Sequence, residues 1–140
     1  MRIAVKEVGK ELEIIESNEK YITDCAKRYI GENDIVEFVR INEDGSLYIG
    51  VNEDGLRLEL PLNFLAEVPY SYWPVQKMVG TAVFMRRKTY LEDEYDFKVE
   101  DLTDSDIEYI KKILSREYQE ELSSNFRDYG KGECVIQRIL

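Results

Sequence analysis

The side chains best able to act on another molecule are carboxylates in the second half of the chain. Between residues 92 and 108 the acidic side chains are opposed only by Lys98. Carboxylates on a surface can take the positions of phosphates in the basic groove of a nucleic-acid-handling protein. The stretch therefore predicts a phosphate-mimicking surface or, alternatively, a solvated face that maintains solubility. The candidate binding residues are Glu92, Asp93, Glu94, Asp96, Glu100 and Asp101.

A second group of side chains has the types that bind a nucleotide. Basic residues could bind its phosphates, asparagines its base or sugar, and aromatic rings could stack on the base. The sequence contains no glycine-rich phosphate loop of the Walker or Rossmann type. The same residues could instead bond turns, cover the core or pair with the acidic stretch. This alternative pocket comprises Asn52, Asn63, Tyr70, Tyr72, Trp73, Arg86, Arg87 and Lys88.

Composition argues against catalysis. The chain has no histidine, which removes the commonest general base and the commonest metal ligand. A carboxylate–metal hydrolase is the remaining enzymatic option, and it needs acidic residues converging from several elements. Two N-E-D-G sequences do not fit calcium loops, because Val51 and Pro61 stand where a bidentate Glu is required. We expect no catalytic residue, no metal site and no cofactor.

Net charge and cysteine content restrict the partners and the compartment. Lys and Arg number 19 against 29 Asp and Glu, a formal charge of −10. Duplex DNA and anionic membranes are bound through basic faces, so neither is an expected partner. No apolar run has the length of a signal peptide or a membrane span. Cys25 and Cys134 lie inside apolar segments, which predicts reduced core thiols and a cytoplasmic protein.

Hydrophobic periodicity places these residues on an α+β framework in the first part of the chain. Asp-Gly and Gly-Lys pairs mark turns between short β-type runs, and a 3.6-residue period indicates one helix. Prolines from Pro69 to Pro74 predict an aromatic loop, followed by a strand buried on both faces. The predicted strands are Arg2–Val5, Leu12–Ile15, Ile35–Ile41, Leu47–Val51, Leu56–Leu60 and Met78–Met85, and the predicted helix is Ser17–Ile30.

The remaining residues predict an appendage on this core. Thr103 and Asp106 form a capping-box pattern, and a helical stripe continues to Leu122 as one helix. Glu133–Leu140 predicts a terminal strand that needs a sheet edge or a partner chain, so a homo-oligomer is possible. We therefore expect a core over residues 1–88 and an acidic linker, helix and strand over residues 89–140. The core should be a mainly antiparallel sheet of five or six strands with one packed helix.

The apolar positions of these elements also predict which side chains are buried. We expect a core that includes Ile3, Val5, Ile14, Cys25, Ile35, Val36, Phe38, Val79, Val83 and Phe84.

Three segments of the core resemble a known family. They are the opening R-I-A-V-K-E-V-G-K-E-L-E-I-I-E, the segment V-N-E-D-G-L-R-L-E-L-P-L-N, and V-G-T-A-V-F at residues 79–84. Together they resemble domain of unknown function 3846, over Met1 to about Lys88. The strongest part is N-x-x-G with L-P-x-N, then G-T-A: Asn52, Gly55, Leu60, Pro61, Asn63, Gly80, Thr81 and Ala82. The motifs have no established chemical role in the family, so they assign no site residue.

The resemblance implies a context for the binding hypotheses. Similar proteins are accessory proteins of phages, plasmids and other mobile elements of Gram-positive bacteria, and such proteins often counter host defences. We therefore expect a non-catalytic inhibitor of a bacterial defence component, acting through the acidic surface in the cytoplasm of an infected or element-carrying bacterium. The alternative is a small-molecule binder that sequesters a nucleotide signal in the pocket.

Overall fold

A central antiparallel sheet organises the described part of the chain. A computed structural model describes residues 1–69, 71–88 and 97–125. Five strands follow the order β2-β1-β7-β4-β3, β8 pairs with the end of β7, and β5 and β6 form a separate two-stranded sheet. The predicted α+β class and mainly antiparallel sheet are confirmed. The elements are β1 (Arg2–Lys6), β2 (Glu13–Glu16), α1 (Ile22–Ile30), β3 (Val36–Arg40), β4 (Leu47–Asn52), β5 (Leu62–Glu67), β6 (Val75–Val79), β7 (Ala82–Arg87), β8 (Val99–Glu100), α2 (Asp104–Leu114) and α3 (Arg116–Asn125).

Strand β7 lies between two packed layers. Its residues alternate between the two faces of the sheet, and the first four are fully buried. Val83 packs in a cluster with Cys25 of α1. Phe84 packs on the other face with Ile110 of α2 and stacks on Phe64 of β5 at 5.6 Å between ring centroids. The sheet is therefore covered by α1 on one face and by α2 and the β5–β6 hairpin on the other.

The predicted strand Met78–Met85 is wrong, because the apolar run is two strands in two sheets. β6 ends at Val79 and β7 begins at Ala82. Gly80 makes the turn at φ +72°, and its N–H donates to the Pro61 carbonyl at 2.9 Å. The end of β6 and the start of β7 are both buried, so hydrophobicity alone gives no sign of the break.

The predicted strand Leu56–Leu60 is also wrong. Leu56 and Leu58 are exposed in a series of turns, where the Leu58 N–H donates to the Asp54 carbonyl at 2.8 Å. The strand instead begins at Leu62, immediately after Pro61. A proline just before a strand removes no ladder hydrogen bond, which is why the chain pairs only after it.

The helix boundaries differ from the prediction at two points. α1 begins at Ile22 rather than Ser17, whose hydroxyl accepts from the Glu19 N–H at 3.2 Å. The predicted single C-terminal helix is two helices, because Ser115 leaves helical geometry at ψ 147° and its hydroxyl accepts from the Tyr118 N–H at 3.3 Å. The predicted Thr103–Asp106 capping box is confirmed.

Most of the predicted core is buried. Val36 and Phe38 are partly buried, while Ile14 and Ile35, 42% and 62% exposed, were wrongly predicted. Ile14 lies on the edge strand β2, and Ile35 lies just before β3 begins. The buried members are Ile3, Val5, Cys25, Val79, Val83 and Phe84.

The predicted terminal strand Glu133–Leu140 and Cys134 lie outside the described residues. The division of the chain at residue 88 stays a prediction.

The side chain of Gln119 joins α3 to the edge of β5 that faces away from β6. Its Oε1 accepts from the Leu65 N–H at 2.8 Å, and its Nε2 donates to the carbonyls of Leu65 at 2.9 Å and Ile113 at 2.7 Å. The amide thus replaces a neighbouring strand at one residue of β5. Because Gln119 is buried, each of these bonds satisfies a backbone group that water does not reach.

Replacing Val83 by Asp should unfold the chain. The side chain is fully buried on the central strand, and an unpaired buried carboxylate costs several kcal/mol, about the whole stability of a domain. Ile35→Asp is the matched control at an exposed position. We expect thermal melting by circular dichroism to show a cooperative transition for Ile35→Asp and none for Val83→Asp; a cooperative melt of Val83→Asp would contradict the assignment of β7.

Gln119→Glu should lower the free energy of unfolding by at least about 2 kcal/mol. Glutamate keeps an acceptor for Leu65 N–H but removes the donors to two buried carbonyls. The reverse change at an exposed neighbour, Glu120→Gln, removes only a surface ion pair with Arg116 and should cost less than about 1 kcal/mol. Urea denaturation measures both, and equal midpoints would show that the Gln119 bonds are dispensable.

Candidate functional site

The acidic candidate residues fall into two groups. Glu92, Asp93, Glu94 and Asp96 lie outside the described residues. Glu100 ends β8 with its Oε2 3.6 Å from Arg86 Nε, and the Asp101 carboxylate accepts from the Arg2 N–H at 2.8 Å. Both described members therefore have a partner within the chain.

Arg86 is bound to the first turn of α2. Its Nη1 lies 3.2 and 3.3 Å from the two carboxylate oxygens of Asp106. Asp106 also accepts from the Thr103 N–H at 2.8 Å, and its own N–H donates to the Thr103 hydroxyl at 3.0 Å. The side chains of Arg86 and Asp106 are only 27% and 9% exposed. This geometry makes Arg86 a structural group and removes it from the candidate phosphate site.

The guanidinium of Arg87 lies against aromatic rings rather than against a carboxylate. Its guanidinium carbon lies 3.9 Å from the centroid of the Phe97 ring and 5.0 Å from that of Tyr48, and its Nε donates to the Gly45 carbonyl at 3.1 Å. Successive residues of a strand face opposite sides of the sheet. Arg86 and Arg87 therefore do not form one phosphate cradle.

The side chains of Asn52 and Asn63 form hydrogen bonds with backbone groups. The Asn52 Oδ1 accepts from the Asp54 N–H at 2.9 Å, as in an Asx turn. The Asn63 amide donates to the carbonyls of Lys6 at 2.7 Å and Gly80 at 2.9 Å, and its Oδ1 accepts from Lys6 Nζ at 3.2 Å. Asn63 thus ties the end of β1 to the turn between β6 and β7.

The residues that carry the family resemblance meet at this junction. The Gly55 N–H donates to the Asn52 carbonyl at 3.0 Å, and the Leu60 N–H donates to the Gly55 carbonyl at 2.9 Å. A Cβ at Gly80 would lie 2.9 Å from Leu60 Cδ1, and one at Gly55 would lie 2.6 Å from a methyl of Val79. The two glycines therefore allow close packing of Leu60 and Val79. The N-x-x-G, L-P-x-N and G-T-A sequences have a structural explanation here, independent of any ligand.

The aromatic members of the predicted pocket lie at the tip of the β5–β6 hairpin. Tyr72 is 85% exposed, and its ring meets that of Trp73 edge to face at 4.6 Å between centroids. The Gln76 Nε2 donates to the Ser71 hydroxyl and to the Trp73 carbonyl, each at 3.0 Å. Tyr70 lies outside the described residues. The rings are presented outward on a bonded loop and do not cover the core.

The alternative pocket is therefore not assembled among the described residues: its asparagines bond the backbone, and its arginines face opposite sides of the sheet.

A cleft of about 470 Å³ lies elsewhere, beside β8, and its lining includes Lys20, Lys88 and Lys98. Only Lys88 of these belonged to a predicted site. Lys20 and Lys98 could have been predicted only from strand pairing, because the pairing brings residues 20, 88 and 98 together from distant parts of the chain.

The described ranges hold no group of three or more His, Cys, Asp or Glu side chains placed to bind a metal ion. Cys25, the one cysteine among those residues, is buried without a disulfide, and burial raises the pKa of its thiol. Within the same ranges, every helix is too short or too polar to cross a membrane.

The sequence matches no family model, and it matches neither a curated protein nor a solved structure. The resemblance to domain of unknown function 3846 stays a prediction.

Asn63→Ala should destabilise the fold by about 2–4 kcal/mol, because two carbonyls and one ammonium lose their amide partner at a partly buried junction. Asn52→Ala removes a single bond to a turn N–H and should cost about 1 kcal/mol. Urea denaturation compares the two variants with the exposed control Asn33→Ala. An Asn63→Ala protein as stable as the Asn33→Ala control would contradict the structural role of the junction.

Proposed function

We propose that this chain is a non-catalytic binding protein that inhibits a basic partner by presenting carboxylates where the partner binds phosphates. The net charge of −10 supports a basic partner, because charge complementarity steers association and penalises acidic competitors. The resemblance to accessory proteins of mobile elements supports a bacterial defence component as the target. The acidic stretch from Glu92 to Asp101 and the exposed carboxylates that follow it would form the contact.

The observation that carries the proposal is the acidic side of the start of α2. Asp101, Asp104 and Glu108 are all exposed. Asp104 and Glu108 are four residues apart in α2, a spacing at which helical side chains lie about 5–6 Å apart on one face, and Asp101 lies just before the helix. The Asp104 side chain remains 94% exposed although Arg2 lies 3.1 Å away. Such a surface ion pair is weak, so a partner arginine or lysine could replace Arg2.

The hairpin tip supplies a second kind of contact. Protein interfaces obtain most of their binding energy from a few anchors, among which Trp and Tyr are enriched. Tyr72 and Trp73 are exposed on a loop whose ends are joined by the Val68 N–H donating to the Pro74 carbonyl at 2.7 Å. An ordered aromatic pair loses little conformational entropy on binding, which supports a protein partner.

A nucleotide sequestered in the pocket of Asn52, Asn63 and Arg86 has less support. Each of these side chains already bonds groups of the chain itself, and a ligand would have to replace those bonds at the expense of stability. On the acidic surface, the contact that a partner would replace at Asp104 is only the exposed and weak ion pair with Arg2.

The test is competition between duplex DNA and the protein for a captured partner. The immobilised chain is exposed to bacterial lysate, and bound proteins are identified after elution with duplex oligonucleotide. We expect the DNA to release a nucleic-acid-handling protein, and we expect added salt to weaken its capture, because exposed charges are screened beyond roughly 10 Å at 0.1 M salt. Asp101→Asn/Asp104→Asn/Glu108→Gln should lose this capture.

The matched control is Glu32→Gln/Glu37→Gln/Glu53→Gln, which removes the same charge from exposed positions elsewhere. It should capture the partner as the unmodified protein does, and both triple variants should melt cooperatively. Equal capture by the two triple variants, or a bound protein that neither DNA nor salt releases, would overturn phosphate mimicry through α2.

A further inference from the structure

The cleft beside β8 concentrates positive charge in an otherwise acidic protein. Lys20, Lys88 and Lys98 all line it, together with Asn18, Glu19 and Glu100. We call it the lysine cleft. Its volume of about 470 Å³ lies within the range of roughly 300–1,000 Å³ that is typical of small-molecule sites.

Backbone pairing fixes the positions of the three lysines. The antiparallel register pairs Arg87 with Val99, and the next residues continue it, because the Lys88 N–H donates to the Lys98 carbonyl at 2.8 Å. The Val99 N–H donates to the Lys20 carbonyl at 2.9 Å. The lysines therefore lie on neighbouring backbone segments. Because folding already holds these segments together, a ligand does not have to bear the entropic cost of ordering them.

The carboxylates in the cleft wall are directed to arginines. Glu19 Oε1 lies 3.3 Å from Arg28 Nη1, and Glu100 Oε2 lies 3.6 Å from Arg86 Nε. Strand register places Lys88 opposite Lys98. Within the described part of the chain, Lys88 forms no ion pair, so the two wall carboxylates leave its charge available to an anion in the cleft.

We propose that the lysine cleft binds a small molecule that carries a diphosphate or triphosphate group. Lysine ammonium groups bind phosphate as point charges without demanding the planar geometry that arginine imposes. Three lysines in the lining of one cleft favour an anion of several charges over a single carboxylate or chloride, because each positive charge near the anion adds a Coulomb attraction. The Asn18 side chain in the wall adds a neutral hydrogen-bonding group. The cleft includes Lys98 and Glu100 of the acidic stretch but neither Asp104 nor Glu108 of α2, and the proposal stands without the phosphate-mimicking function.

Isothermal titration with inorganic pyrophosphate, compared with inorganic phosphate and acetate, tests the proposal on the full chain. We expect saturable binding of pyrophosphate, weaker binding of phosphate and none of acetate. Lys20→Gln/Lys88→Gln should weaken pyrophosphate binding by at least about tenfold, since a charge-assisted hydrogen bond contributes about 1.5–3 kcal/mol. The control Lys111→Gln/Lys112→Gln removes the same charge from exposed positions at the end of α2. It should change the dissociation constant by less than about twofold, the effect of long-range charge alone.

Nuclear magnetic resonance of the unmodified, isotope-labelled protein keeps the test independent of variant folding. Pyrophosphate should shift the backbone amide signals of Lys20, Lys88 and Val99, which border the cleft, more than those of α2. No saturable pyrophosphate binding, equal binding by the two double variants, or signal shifts confined to other surfaces would each overturn the proposal.

Discussion

The ion pair between Arg86 and Asp106 is the interaction on which both the fold and its functional interpretation depend. It joins the end of the sheet's central strand to the first turn of α2, and the same carboxylate completes the helix cap with Thr103. A carboxylate in the first turn of a helix also interacts favourably with the positive end of the helix dipole. Because the Asp106 side chain is nearly buried, removing Arg86 would leave a charge without compensation, which is the costly case for buried pairs. The pair therefore connects the start of α2 to the core of the protein.

The same pair separates the possible binding surfaces. An arginine that neutralises Asp106 and approaches Glu100 is not free to bind phosphate, so the basic residues at the end of β7 do not act as a unit. Arg86 forms its ion pair with Asp106 of α2 on one side of the strand, and Arg87 contacts the rings of Phe97 and Tyr48 on the other side. Lys88, the next residue, lines the lysine cleft. Negative charge remains on the exposed side of α2. Positive charge gathers in a separate place, where strand register brings the lysines together.

Sequence patterns predicted the elements whose signal is local. The β1–β2 hairpin, α1, the β3–β4 hairpin and the Thr103 cap depend on turn residues or periodicity within a few positions. The patterns failed where burial hides the signal. Met78–Met85 is apolar apart from Gly80 and Thr81, and the turn is visible only in the structure, in the φ of Gly80 and its close packing on Leu60. The helix break at Ser115 was missed for a related reason, because the apolar stripe continues through it.

The candidate site was harder to predict, since it depends on contacts between distant residues. Asn52 and Asn63 have side chains suited to ligands, yet the turns and strand ends beside them need the same amides. Lys20 gave no local sign of a role, because the other two lysines of the cleft are more than sixty residues away along the chain. Residue type alone therefore could not distinguish a ligand-binding group from one that bonds the backbone.

A double-mutant cycle on Arg86 and Asp106 tests the central interaction most directly. The free energy of unfolding is measured by urea denaturation for the unmodified chain, Arg86→Met, Asp106→Asn and the double variant. The substituted asparagine would retain a capping acceptor while losing the charge. A structural pair predicts a coupling energy of about 1–3 kcal/mol, as for contacting residues in one network. Single-variant effects that add to within about 0.3 kcal/mol would contradict it and would return Arg86 to the set of residues available to a ligand.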